Sequence, residues 1–159
     1  MAKGTLRILC PTGHLNYVPM QPESFYRGME TRPDLVVADA GSDDIGPEAL
    51  GAGTSVSHLE WQTFDLEHML VASRKQGIPM IIGSAGDSGA NSRVDLFVNI
   101  IKQLAQKHQI PKFKIGYFYS EVSKEYLMQK MRDGKIIMGL GGFPDLTPEV
   151  VENTERIVA

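Results

Sequence analysis

Residues 79–95 read PMIIGSAGDSGANSRVD, and the parsing of this stretch decides the fold. PMIIGS (79–84) is short and nearly continuously apolar, as expected of a strand buried on both faces rather than one alternating between core and water. A helix follows: in SRVDLFVNIIKQLAQKH (92–108), Val94, Phe97, Ile101, Leu104 and Ala105 share one face. Lys107 and His108 close it where cations complement the helix dipole. A loop rich in Gly and Ser joins the two. Strand, glycine loop, helix is the repeating unit of a parallel α/β sheet.

Four further runs have the same strand-like character: TLRILC (5–10), LVVAD (35–39), KIGYFYS (114–120) and KIIMGL (135–140). Helical patterns alternate with them. SHLEWQTFDLEHMLVASRK (57–75) sets Leu59, Leu66, Met69, Leu70 and Ser73 along one stripe. Ser57 and Glu60 form a capping-box pattern, and Gly77 and Pro79 supply stop signals. Another helix spans about Ser123 to Arg132, ending at Gly134, and Thr147-Pro148 opens one more. A weaker pattern covers Glu23 to Glu30. With right-handed crossovers this order predicts one α/β domain over residues 1–159, a three-layer Rossmann-like fold on a mostly parallel sheet of about five strands.

The totals fit one globular domain: 159 residues, 42% hydrophobic, with a net charge of −3. Mild acidity without a basic cluster argues against nucleic acid and against an anionic membrane surface. No apolar run approaches the roughly 18 residues that span a bilayer. MAKGTLRILC enters a strand at once, so neither a membrane segment nor a signal peptide is expected, and the cytoplasm is the expected location. The lone Cys10 excludes an internal disulfide and a multi-cysteine zinc site, and reads as a buried structural thiol.

In open parallel sheets, ligands bind beyond the carboxyl ends of the strands. Those ends carry CPTGHLNYVP, DAGSDDIGPEALGAGTS, GSAGDSGANSRVD, YSEVSKE and GLGGFPD, whereas the opposite ends carry plain solvated text such as SRKQGIP. In the third of these loops Gly83, Ser84, Gly86, Ser88 and Gly89 precede free helix N–H groups, an arrangement suited to phosphate or carboxylate. The loop lacks the Gly-Lys-Ser/Thr ending of a nucleotide-binding P-loop and the pattern of a dinucleotide fingerprint. Asp87 within it is a candidate general base or metal ligand, or else the anchor of an Asx-turn. Arg93 is the nearest cation for a substrate carboxylate, and Ser42 and Ser120 are further candidate substrate contacts.

The long acidic loop after residue 39 brings Asp39, Asp43 and Asp44 together. They are either solvated turn formers, an oxygen-ligand set for a divalent metal, or a pair with a raised pKa suited to proton transfer. Such a metal would be the only cofactor; no other is expected. His14, after the first strand, and His58, at a helix start beside the acidic loop, are candidate acids. Glu121 is a candidate second carboxylate. His68 and His108 read as solvated, and Tyr117, Phe118 and Tyr119 as sheet packing.

RILCPTGHL, ADAGSDDIGPEALGAGTSVSHLEW, PMIIGSAGDSGANSRVD and FYSEVSKEYL together resemble, in order along essentially the whole chain, the N-terminal portion of the acyclic terpene utilisation (AtuA-type) family. The resemblance implies catabolism of small or branched carboxylic acids or their thioesters, in a longer chain often accompanied by a small partner protein. It supplies no catalytic assignment. The expected function is an enzyme, or an enzyme subunit, performing lyase- or hydratase-type acid–base chemistry on a small anionic substrate. Asp87 and Asp43 would serve as base or metal ligand, and His58 or His14 as acid. Since exposed sheet edges are normally covered, a homo-oligomer or a second protein subunit is expected. The alternatives are a non-catalytic binding or assembly subunit and a magnesium-dependent phosphate-ester enzyme.

Overall fold

The computed structural model describes residues 4–13, 15, 17–41 and 47–158, without the side chains of Pro47, Glu48 and Leu50. Three strands, β1 (Ile8–Leu9), β2 (Leu35–Gly41) and β3 (Met80–Asp87), form an all-parallel sheet in the order β1-β2-β3. Helices α1 (Pro22–Glu30), α2 (Pro47–Ala52), α3 (Leu59–Gln76), α4 (Asn91–Lys107), α5 (Lys124–Arg132) and α6 (Pro148–Asn153) complete the described elements. Helix α1 lies between β1 and β2, and α3 between β2 and β3. Parallel neighbours joined this way place their crossover helices on one face of the sheet, and α3 indeed touches both α1 and α4.

The core lies between that helical layer and the sheet. Val36, Ala38 and Ala40 point into it from alternate positions of β2, meeting Leu66, Met69 and Leu70 of α3 and Phe97, Ile101 and Leu104 of α4. These are the stripes expected from helical periodicity, so the sequence pattern and the packing agree for both long helices. Leu59 is the exception, half-exposed at the first turn of α3.

Several expectations need correction. The described residues contain three strands, not about five. Residues 114–120 make no backbone–backbone hydrogen bond among the described residues until Val122 N–H donates to Ile157 O, and Glu121 forms only an isolated antiparallel bridge to Val158. Residues 135–140 fold back on their own neighbours, with Leu146 N–H donating to Ile137 O and Gly139 N–H to the Asp145 carboxylate. An apolar run becomes a strand only where an edge meets it, and neither run meets one among the described residues. Cys10 is exposed, its thiol donating to Thr12 O at 3.0 Å, because β1 is two residues long at the sheet border. The capping box at α3 does not form: His58 is the N-cap without a side-chain hydrogen bond, and Ser57 is used elsewhere. The long loop expected after residue 39 contains α2.

The feature that shapes the site is a bulge. Asp39 pairs with Gly83, but Gly41 pairs with Asp87, so a step of two residues on β2 answers a step of four on β3. The surplus is absorbed by left-handed backbone at Ser84 (φ 46°), Gly86 (φ 65°) and Asp87 (φ 74°). Bulges of this kind re-aim side chains beside binding sites.

Candidate functional site

The carboxyl end of β3 is organised by Asp87. The residue is 5% exposed, and its carboxylate accepts from donors on the segment between α2 and α3. Val56 N–H donates to Oδ2 at 2.9 Å and Ser57 N–H to the same oxygen at 3.2 Å. Ser57 Oγ donates to Oδ1 at 3.1 Å, and Ser55 Oγ makes a short hydrogen bond to Oδ2. Gln62, fully buried on α3, donates from Nε2 to Ser55 Oγ at 2.7 Å. Arg93, on the first turn of α4, donates through Nε to Gly86 O at 3.0 Å and through Nη2 to Gln62 Oε1 at 3.2 Å. Burial draws the Arg93 guanidinium below its ordinary pKa, with the Asp87 charge opposing. A carboxylate that accepts from four donors holds a loop in place and has its acceptor sites occupied by the chain itself.

The start of α4 is likewise already served. Asn91 N–H donates to Glu121 Oε1 at 2.9 Å, and the same oxygen lies 3.3 Å from Arg156 Nε. Glu121 therefore supplies the negative charge that the helix terminus attracts, while Arg156 also donates to Gly51 O. Both cations near this rim, Arg93 and Arg156, are engaged with the chain itself. Ser120 Oγ donates to Gly89 O at 2.9 Å, and Ser88 Oγ accepts from Ala90 N–H at 3.4 Å.

Alongside β3 runs a cleft of about 1760 Å³, walled on its far side by residues 112–120. Its floor is apolar, with Met80, Ile82, Val94, Phe97, Ile101 and Ile115 among its lining residues. Asp39, Gly41, Ser84, Asp87, Ser88, Gly89 and Ser120 line the end nearest the carboxyl termini of the strands. The other end is basic. Arg74 donates to Ile78 O and stacks over Phe113 at 5.5 Å, which fixes Phe113, and with it the flanking Lys112 and Lys114, beside the amino end of β3. The far wall is tied to α4 by Tyr119 OH, which donates to Asp95 Oδ1 at 2.6 Å; that hydrogen bond is the main reason the Tyr119 pKa is pushed up to about 12.

The fold thus gathers Asp39, Gly83, Ser84, Gly86, Asp87, Ser88, Gly89, Arg93, Ser120 and Glu121 at one rim. His58 stands apart, exposed and edge-on to the Trp61 ring at 4.9 Å, and it does not line the cleft. His14, Ser42, Asp43 and Asp44 lie outside the described residues. Among the described residues no group of three or more His, Cys, Asp or Glu side chains converges as a metal set would require; Asp39 is the one member of the acidic trio that is described. Sequence reasoning missed Ser55, Gln62, Lys112 and Lys114. The signal for Gln62 was present, as a polar residue four positions before Leu66 on the buried face of α3. Nothing local could mark Ser55, whose partner is 32 residues away.

No helix among the described residues is long and apolar enough to cross a membrane. No family model, no curated protein and no solved structure matches the chain.

Proposed function

We propose that this chain is an enzyme, or one subunit of an enzyme, that takes a small or branched carboxylate or its CoA thioester through acid–base chemistry of the lyase or hydratase kind. The observation that carries the reading is the polarity of the cleft. Lys112 and Lys114 suit a carboxylate or thioester phosphates, the β3–α4 floor suits a branched alkyl body, and the far end holds carboxylates and hydroxyls. Of the three carboxylates at that rim, Asp87 is saturated and Glu121 is held by Asn91 N–H and Arg156, which leaves Asp39 as the acid–base group. The volume exceeds the roughly 300–1,000 Å³ of an ordinary small-molecule pocket, in keeping with a ligand as long as an acyl thioester. The resemblance to the acyclic terpene utilisation (AtuA-type) family points to the same substrate class.

The anionic group belongs at the lysine end rather than over the β3–α4 loop, since Glu121 occupies the helix terminus there. Calorimetry with isovalerate, citronellate and their CoA thioesters tests this. Binding is expected, weakened about tenfold or more in the double variant Lys112→Ala/Lys114→Ala, as for loss of a charge-assisted contact. Absence of binding in the wild type, or binding indifferent to both lysines, rejects the reading. A second reading, a non-catalytic assembly subunit, draws on the exposure of Phe118, Met138, Leu140 and Phe143; it takes over if a partner chain is fully active without this one.

A further inference from the structure

Asp39 and Ser84 reach the same small space from neighbouring strands. Asp39 ends the regular part of β2, its side chain is exposed to the cleft, and Oδ1 is oriented by the Gly41 N–H at 3.0 Å. A Cβ placed on Gly41 would stand 2.8 Å from Ser84 Oγ and 3.2 Å from Asp39 Oδ1. One placed on Gly83 would also stand 3.2 Å from Asp39 Oδ1. The two glycines thus leave open the space into which carboxylate and hydroxyl project, and any other residue would narrow it.

The bulge that delivers Ser84 is strained. Serine at φ 46° occupies the left-handed region, which favours glycine, in a turn already holding Gly86 and Asp87 there. Ser84 Oγ makes no hydrogen bond with a described residue, so nothing in the described fold repays that conformation. An acceptor and a donor–acceptor facing one gap, with the neighbouring cations Arg93 and Arg156 engaged elsewhere, match a group that can both give and take a proton. They do not match an anion. Along β3, Ser84 is four residues from Met80, about 13 Å at ~3.3 Å per residue, so this group lies well away from the anion expected at Lys112 and Lys114.

We propose that Asp39 and Ser84 form a hydroxyl-recognising subsite, selecting hydroxylated carboxylates or hydroxyacyl thioesters whose hydroxyl lies at the opposite end from the anion. The inference rests on the binding reading above and deepens it. Its test uses two matched probe pairs and calorimetry on the whole chain: decanoate against its terminally hydroxylated counterpart, and butyryl-CoA against β-hydroxybutyryl-CoA. The hydroxylated member of at least one pair is expected to bind about tenfold tighter, as for a hydrogen bond to a charged group. The pair that responds identifies the free acid or the thioester as the source. Asp39→Asn, which keeps an acceptor for the Gly41 N–H, and Ser84→Gly should each bring the two members of that pair to similar affinity. Ser84→Gly should at the same time raise the melting temperature, because glycine adopts the left-handed backbone without penalty. A purely structural serine would not uncouple stability from selectivity in this way. Equal binding within both pairs in the wild type, with lysine dependence intact, overturns the hydroxyl subsite alone. Binding of no probe removes the underlying reading as well. A Ser84→Gly protein that melts lower and still discriminates also overturns the proposal.

Discussion

The sequence marks Asp87, a lone acid among Gly and Ser after a buried strand, but it does not distinguish a free carboxylate from a saturated one. The distinction depends on Ser55, Val56 and Ser57, which arrive from 30 to 32 residues away. Asp87→Ala would strand these donors in a part-buried site, and a loss of about 3 kcal/mol is expected, as for other broken buried charged networks. Asp87→Asn should lose less, about 1–2 kcal/mol, because asparagine keeps one acceptor and tolerates the left-handed backbone at φ 74°. Urea denaturation of both variants measures the difference. Equal losses would mean that the carboxylate's charge, rather than its acceptor geometry, holds the loop. Asp39, by contrast, was legible only as one of three loop acids, since its separate place at the cleft comes from the register of β2 against β3.

At the level of elements, the long helices were readable to within two residues, because a repeating apolar face is a local property of the chain. Residues 114–120 and 135–140 were not, because a strand exists only by virtue of a neighbour. What holds the first of these runs is side-chain hydrogen bonding: Tyr119 OH on Asp95 of α4 and Ser120 Oγ on Gly89 O. Tyr119→Phe should therefore speed proteolytic cleavage within residues 113–120 while α3 and β2 stay resistant. Since the folded Tyr119 pKa is raised from 10.0 to about 12, its contribution is complete below pH 10 and fades as the pH climbs through 12. The α3–α4 pair carries the opposite dependence. Glu67 on α3 lies 2.7 Å from Lys107 Nζ and also bonds His108, and mainly through Lys107 its pKa is held below the usual 4.5, despite some desolvation. Its contribution is complete above pH 4.5 and is lost as the pH falls through the lower folded value. Glu67→Gln should flatten the acid side of the melting curve against pH, and an unchanged acid slope would show the contact to be inert.

For the whole molecule, the unanswered surface lies after α5. Ile136, Met138, Leu140 and Phe143 are 75–90% exposed, four large apolar side chains within eight residues. Ile136, Met138 and Leu140 alternate along a run that has the composition of a strand and no ladder partner among the described residues. Exposed apolar side chains concentrated in so short a run are expected to serve as an interface. The run also suits pairing with itself about a twofold axis, where each copy supplies the same edge. Centred on Met138, such antiparallel pairing sets Lys135 opposite Gly141, so no like charges meet and no charged group is buried. The purified chain is accordingly expected to sediment as a dimer at about tens of micromolar, within the range of modest interfaces. Met138→Lys/Leu140→Lys should return it to a monomer with its melting temperature little changed, because both side chains are already in solvent. If the wild-type chain stays monomeric at those concentrations, self-pairing is excluded. A shift to monomer accompanied by a large fall in melting temperature would instead assign these side chains to the fold of the single chain.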